Sequence, residues 1–216
     1  MKFDPYEFIA VAIPGSLPTL TISMLVPEVA TVVMTNGVDL GSFGVFLIVS
    51  FVVGHVVQLF GNVIEQIEGF LTFGTIDLAV RDERRPMHSE QWDRFCVNLA
   101  EAGISTAAGV TSKTWPGIRR EVYARLLADG RTDRIDMFNR TYGLCRGMVS
   151  GAAISAGATL VLGDEDAWQW SGMIVMLLAL PLYVRMRRFS RHYFNEVVSQ
   201  FLSLNQVSRY PRASDV

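Results

Sequence analysis

The chain has 216 residues, of which 50% are hydrophobic and only 19% are charged, with a formal net charge of −2. Globular proteins average about 25% charged residues, so this chain has too few charges for an ordinary soluble enzyme. The high hydrophobicity excludes a disordered chain, and two cysteines are too few for a disulfide-based scaffold.

Four segments contain no Asp, Glu, Lys or Arg: residues 8–27, 40–64, 147–163 and 167–184. A helix rises 1.5 Å per residue, so about 20 apolar residues cross a hydrocarbon core of roughly 30 Å. The first two segments reach this length and the last two nearly reach it. The sequence therefore predicts an all-α membrane protein with four transmembrane helices.

The charges predict which way the chain is inserted. All 19 basic residues lie at Lys2, within 81–146 or within 185–212, whereas the connections 28–39 and 164–166 carry only acidic charges. Basic residues are enriched in cytoplasmic connections. We therefore expect both termini in the cytoplasm, and the excess of arginine over lysine favours a bacterial inner (plasma) membrane.

These assignments divide the chain into four parts. Residues 1–64 form a first transmembrane hairpin, and residues 65–146 form a cytoplasmic helical insertion. Residues 147–184 form a second transmembrane hairpin, and residues 185–216 form a cytoplasmic amphipathic helix and tail. The lipid bilayer is therefore the first expected partner of the chain.

The first span contains two prolines, Pro14 and Pro18. Each proline removes a backbone donor and crowds the preceding turn. We expect a kink or a short unwound stretch near residues 13–18. It is either packed against neighbouring helices or part of a discontinuous helix on an ion or substrate path.

The second span carries polar and small residues on one side. On a helical wheel they fall in an arc of about 140°. The polar stripe comprises Ser50, His55, Gln58, Asn62 and Glu65, with Gly54 and Gly61 between them. Polar side chains in hydrocarbon are costly unless paired, and they normally face the bundle interior or water. The stripe therefore forms hydrogen bonds within the chain, lines a hydrated path or oligomer axis, or marks a helix end entering the cytoplasm.

The insertion has helix signals rather than strand signals. Ser89 is positioned to cap a helix that stops at Gly103, and Pro116 opens a second helix that ends at Gly130. A third helix begins near residues 132–133 and continues into the third span.

The third span is rich in small residues, which let helix backbones approach closely. The residues expected at this packing surface are Gly147, Gly151, Ser155 and Gly157. They predict a tightly packed central helix, with homo-oligomerisation through this face as the alternative.

The fourth span contains Pro181, where we expect a kink, and continues into a basic segment. This basic collar comprises Arg185, Arg187, Arg188 and Arg191. An apolar stripe follows at helical spacing: Phe189, Tyr193, Val197, Phe201 and Leu204. The pattern predicts an amphipathic helix that packs on the insertion or lies at the inner surface, with the collar facing anionic headgroups.

The sequence lacks the common catalytic motifs. It has no phosphate-binding glycine loop and no HExxH, CxxC or GxSxG motif. The spacing of Arg187 and His192 resembles the catalytic signature of HEPN ribonucleases, but it lies in an arginine-rich juxtamembrane segment. We therefore predict no enzyme activity, no catalytic residues, no metal site, no cofactor and no nucleic-acid partner.

The polar-striped hairpin, the helical insertion and the arginine-rich tail together resemble small bacterial multi-pass inner-membrane proteins. Among these are the membrane effectors of anti-phage defence systems such as CBASS and type III CRISPR. The resemblance is one of architecture and covers most of the chain. It implies a channel-like homo-oligomer that depolarises the membrane on a cytosolic trigger, either a partner protein or a nucleotide signal. The alternative is a non-conducting anchor or scaffold for a cytoplasmic partner.

Overall fold

The structure is a computed structural model and describes residues 5–33, 40–71, 87–104, 109–111, 113–163 and 166–209. These residues form the helices α1 (Pro5–Leu25), α2 (Pro27–Val33), α3 (Leu40–Leu71), α4 (Ser89–Glu101), α5 (Trp115–Ala128), α6 (Asp133–Leu162) and α7 (Asp166–Arg209). No strand occurs within these ranges, so the all-α prediction is confirmed for this part of the chain.

Four of the helices are long and apolar enough to cross a membrane, namely α1, α3, α6 and α7. They cover nearly all of the four charge-free segments predicted as spans, apart from residues 26–27 and 163, and they indicate a membrane protein. Helices α6 and α7 extend well beyond those segments, because backbone hydrogen bonding within a helix does not stop where its hydrophobicity stops.

The described chain divides into two compact units. Unit 1 comprises Met1–Ile67 and Arg140–Arg187, and unit 2 comprises Glu68–Asn139 and Arg188–Val216. The apolar segments of the four candidate spans lie in unit 1. Helices α6 and α7 each contribute one part to unit 1 and the other part to unit 2.

Unit 1 buries small residues and exposes large apolar ones. Gly15, Gly54 and Gly151 are buried at helix contacts, whereas Ile48 and Leu178 are each 67% exposed. In water such a surface would be unfavourable by about 25 cal/mol per Å². A surface of this kind is stable against lipid tails, which are as apolar as the side chains themselves.

Unit 2 has a conventional buried core built on aromatic rings. On α4, Trp92, Phe95 and Leu99 recur at helical spacing and are buried. The Phe95 ring lies 5.7 Å from that of Phe201 on α7, edge to face, an arrangement aromatic pairs favour. Helix α5 adds Ile118, Val122 and Leu126 to the same core, and α6 adds Ile135.

The helix ends of unit 2 follow the predicted signals, with one exception. Gly103 and Gly130 have φ angles of 72° and 70° and follow the ends of α4 and α5, as predicted for left-handed helix stops. Pro116 lies in the first turn of α5. The prediction for Ser89 is wrong by one position: His88 is the N-cap, with extended backbone, and Ser89 is the first helical residue.

The proline-containing spans are uninterrupted helices. Helix α1 runs through Pro14 and Pro18, so the predicted unwound stretch is absent from it. Helix α7 likewise runs through Pro181 over 44 residues. Residues of neighbouring helices lie at the carbonyl groups of Ala10 and Pro14, which the two prolines of α1 leave without a backbone donor.

Candidate functional site

The structure divides the polar stripe of α3 between two sides of the helix. Ser50 is fully buried and Gln58 is half-buried, on the side that faces other helices. His55 and Asn62 lie on an exposed side. Glu65 belongs to the backbone of α3, but its side chain lies outside the described part. The stripe is therefore two features with different neighbours.

On the buried side, α1 crosses α3 with direct backbone contact at Gly15 and Gly54. A Cβ added to Gly15 would overlap the backbone of Ser50 and lie 2.7 Å from Gly54 Cα. A Cβ added to Gly54 would overlap the backbone of Val11. Only glycine permits this approach, and small residues serve the same purpose in many membrane helix pairs.

The Gln58 side chain replaces a donor that Pro14 removes. A residue at position 14 would normally donate its N–H to the carbonyl of Ala10, but proline has no N–H. Gln58 Nε2 donates to that Ala10 oxygen at 3.3 Å. A freed carbonyl in the hydrocarbon region must find such a partner, because lipid offers none. Gln58 thus keeps α1 helical through its proline.

The other end of the Gln58 amide meets Arg146 on α6. Arg146 Nη2 donates to Gln58 Oε1 at 3.4 Å, and the guanidinium carbon lies 5.7 Å from the Tyr142 ring centre. Sequence reasoning did not single out Arg146. Its position in the sequence could have identified it, because Arg146 is the last charged residue before the third apolar segment.

Two glycines of α6 also lie close to Pro14. Pro18 leaves the carbonyl of Pro14 without its helical donor. A Cβ on Gly151 would lie 2.5 Å from that carbonyl oxygen, so only glycine permits this approach of the two helices. A Cβ on Gly147 would lie 2.8 Å from Pro14 Cγ and 2.9 Å from Gln58 Nε2.

The other two small residues predicted at this surface of α6 differ from each other. Ser155 is 2% exposed, and its hydroxyl oxygen has no hydrogen-bond partner among the described residues. Gly157 is exposed, and a Cβ there would meet nothing within 4 Å. Gly147 and Gly151 therefore contact α1, whereas Gly157 does not contribute to a helix contact in the described chain.

The exposed side of α3 carries a regular row of side chains. Ile48, Val52 and Leu59 are 67%, 60% and 65% exposed, and His55, Asn62 and Gln66 are exposed as well. We call this set the exposed row: Ile48, Val52, His55, Leu59, Asn62 and Gln66. His55 stacks edge to face on Phe51 at 4.8 Å. Asn62 and Gln66 make no hydrogen bond among the described residues. No described part of a single copy of the chain covers the row.

The basic collar on α7 is mostly exposed. Arg185, Arg188 and Arg191 are exposed, whereas Arg187 is half-buried and donates from Nη1 to Tyr183 Oη at 3.5 Å. The collar residues thus point in several directions around the helix, as consecutive positions on one helix must.

Arg187 and His192, the pair with ribonuclease-like spacing, have different neighbours. Arg188 Nε donates to His192 Nε2 at 3.3 Å, and the His192 ring stacks on Phe138 at 5.6 Å. Residues five apart on a helix lie about 140° apart around its axis. The structure therefore does not bring Arg187 and His192 together.

Within unit 2, polar bonds join α5 to α6, and the connection between these two helices to α7. Tyr123 Oη donates to Asp136 Oδ1 at 2.8 Å, and Arg131 Nη1 donates to Ser203 Oγ at 2.9 Å. Burial raises the pKa of Tyr123, and its hydrogen bond to Asp136 raises it further. Among the described residues, no cluster of His, Cys, Asp and Glu could hold a metal ion.

Comparison with protein-family models, with curated proteins and with solved structures finds no match to this chain. The function must therefore be argued from its own residues.

Proposed function

We propose that the protein is an oligomeric, channel-like effector of a bacterial inner membrane, which depolarises that membrane in response to a cytosolic trigger. The observation that carries the proposal is the exposed side of α3, where His55 and Asn62 project from an apolar membrane helix. A single copy of the chain leaves these polar groups facing lipid.

The energetic argument concerns the partner these groups need. Moving a hydroxyl or an amide from water into hydrocarbon without a hydrogen-bond partner costs roughly 4–8 kcal/mol. His55 lies near the middle of the apolar segment 40–64, too deep for its ring to reach the headgroups. Association of several copies would supply protein or water partners, and a hydrated path between copies would conduct ions.

The distribution of charge supports a cytoplasmic location for unit 2. Its residues include most of the basic segment 81–146, whereas the connections 28–39 and 164–166 are acidic. Under the positive-inside rule unit 2 and both termini face the cytoplasm. The C-terminal part of α7 would then act as a buried helix of that unit, since Phe194, Val197 and Phe201 lie in its core.

Continuity of α6 and α7 provides a route from a trigger to the membrane. Each helix is unbroken between the part in unit 1 and the part in unit 2. A partner protein or nucleotide that changed the packing of unit 2 would act on elements that also form the bundle of spans.

A second candidate is a non-conducting anchor for a cytoplasmic protein. Two large apolar side chains of unit 2, Val97 on α4 and Leu127 on α5, are 55% and 57% exposed. Exposed apolar groups that cluster into patches mark protein interaction sites. An anchor would need a protein-binding surface on unit 2 and would not need ion conduction.

Reconstitution into liposomes tests the proposal. The full chain, inserted into vesicles with a potassium gradient, should slowly collapse a valinomycin-imposed potential even without the trigger, because a two-state protein populates its conducting state to a small extent. A voltage-sensitive dye reports the potential. His55→Leu and Asn62→Leu should reduce the leak, whereas the matched variant Phe60→Leu, at an exposed apolar position of the same helix, should not. Fully inserted protein that leaks no more than empty vesicles would contradict conduction and favour the anchor.

A further inference from the structure

The exposed row of α3 has the spacing of a helix–helix seam. Its members follow one another at alternating intervals of four and three residues, from Ile48 to Gln66. This is the spacing of the a and d positions of a heptad, which keeps one set of side chains facing a partner helix. At 3.6 residues per turn the row occupies an arc of only about 80°.

The other sides of α3 do not share this character. The side with Ser50, Gly54 and Gln58 is covered by α1 and α6 within the chain. The side with Val56, Phe60 and Val63 is exposed but purely apolar, as expected of a lipid-facing surface. Among described side chains of α3, exposed polar groups occur in the row alone.

We infer that the exposed row is the surface along which copies of this chain associate, with their α3 helices parallel and in register. The inference rests on the oligomeric part of the proposed function, but it does not require conduction. The partner to which it commits is a second copy of the same chain.

The membrane itself argues for parallel packing. All copies insert with the same orientation, because the same charge distribution directs each one. A symmetry axis that relates them is then perpendicular to the bilayer, so the α3 helices run in the same direction. In such an arrangement identical residues meet in layers: His55 with His55, and Asn62 with Asn62.

The chemistry of these layers is self-complementary. An asparagine amide carries both donors and acceptors, and a neutral imidazole carries one of each. Each can therefore pair with its own copy without a partner of different sequence. Register is favoured as well, because a shift of one layer would place His55 against Val52 or Leu59 of the other copy and leave its polar atoms unpaired. The remaining row residues, Ile48, Val52 and Leu59, are of the aliphatic kind that fills such seams.

Cysteine cross-linking in membranes tests the inference. In a background with Cys96→Ser and Cys145→Ala, single cysteines replace Val52, Leu59 or, as the matched control, Phe60. A disulfide needs Cβ atoms about 3.5–4.5 Å apart. Mild oxidation should produce a covalent dimer of the chain in the Val52→Cys and Leu59→Cys variants. The Phe60→Cys variant should form no covalent dimer.

The outcomes separate the seam from conduction when leakage is measured in the same vesicles. Cross-linking at the row positions without leakage would support the seam and contradict the proposed ion conduction. Leakage without cross-linking at Val52 or Leu59 would overturn the seam and leave the channel. Equal cross-linking at Leu59 and Phe60 would overturn it as well, because random collision does not distinguish neighbouring exposed positions.

The Asn62→Leu variant gives a second measurement of association. Energy transfer between labelled copies should decrease relative to wild type, and unchanged transfer would contradict the inference.

Discussion

The Gln58 amide connects three helices because a proline needs a substitute donor. Its Nε2 donates to Ala10 of α1, and its Oε1 accepts from Arg146 of α6. We therefore expect Gln58→Leu to lower the unfolding free energy of the bundle by about 1–3 kcal/mol, the cost of an unsatisfied buried polar group. Thermal unfolding in detergent measures this. The control Phe60→Leu, at an exposed apolar position of the same helix, should leave stability nearly unchanged.

A double substitution identifies the cause of that loss. Pro14→Ala restores the backbone N–H that normally donates to Ala10 O, so the Gln58 side chain is no longer required there. In the Pro14→Ala background Gln58→Leu should therefore destabilise the protein less than it does in the wild type, giving a measurable coupling energy. Strictly additive effects would show that Gln58 and Pro14 act independently.

Gly151 offers a second comparison between single residues. A methyl group at Gly151 would lie 2.5 Å from Pro14 O, against backbone that cannot move aside, whereas Gly157 has open space. Gly151→Ala should lower the melting temperature by several degrees, since overpacking typically costs 1–3 kcal/mol, while Gly157→Ala should be neutral. Equal effects would contradict the close contact between α1 and α6.

These residue roles explain what sequence reasoning could and could not establish. The wheel placed Gln58 with Asn62 because it considers one helix alone. The acceptor of Gln58, Ala10, is 48 residues away, and no local pattern indicates which carbonyl a side chain will reach. The sequence nevertheless predicted that another group would have to donate to this carbonyl group, because a proline within a helix leaves a carbonyl without its backbone donor.

At the scale of elements, spans were predictable because length and hydropathy are local properties. The same holds for the glycine stops at Gly103 and Gly130, which depend on one backbone conformation. The lengths of α6 and α7 were harder to predict from the sequence. Their polar parts carry too many charges for a span, and continuation of the helix depends on packing in unit 2. The division of the α3 stripe likewise depends on where α1 and α6 cross it.

The C-terminal part of α7 is an element whose burial can be tested directly. Val197 has no exposed surface and packs in the core of unit 2, whereas Ser199 is exposed on the same helix. Val197→Asp should destabilise unit 2 by more than about 3 kcal/mol, because it buries an unpaired charge. Limited proteolysis should then cleave within residues 87–139. Ser199→Asp should remain resistant, and equal cleavage of both variants would contradict this placement of α7.

The contact between α5 and α6 predicts a response to alkaline pH. Burial and the hydrogen bond to Asp136 raise the pKa of Tyr123 above the ordinary tyrosine value of 10.0. A pKa that is higher in the folded state contributes stability below the unfolded value, and this stability is lost as pH rises through the folded value. Unfolding of unit 2 should therefore become easier above about pH 10. Tyr123→Phe should flatten this dependence; an unchanged slope would contradict it.

For the whole molecule, the separation of charge predicts the orientation of every span. All basic residues lie at Lys2, within 81–146 or within 185–212, and the connections 28–39 and 164–166 are acidic. Moving basic segments outward would oppose the bias that sets topology. In the cysteine-free background, Asp39→Cys and Asp166→Cys should therefore react with a membrane-impermeant maleimide added to intact cells, whereas Arg120→Cys should react only after permeabilisation.

This orientation also determines what the proposed oligomer could do. Unit 2 could receive the proposed cytosolic signal only if Arg120 is inside, and the α3 helices of neighbouring copies would be parallel only if every copy inserts the same way. Labelling of all three positions in intact cells would mean that copies insert in mixed orientations. That result would contradict both the parallel seam and the response to a cytosolic trigger. Labelling of Arg120→Cys alone would reverse the topology: the helices would stay parallel, but unit 2 would face outward.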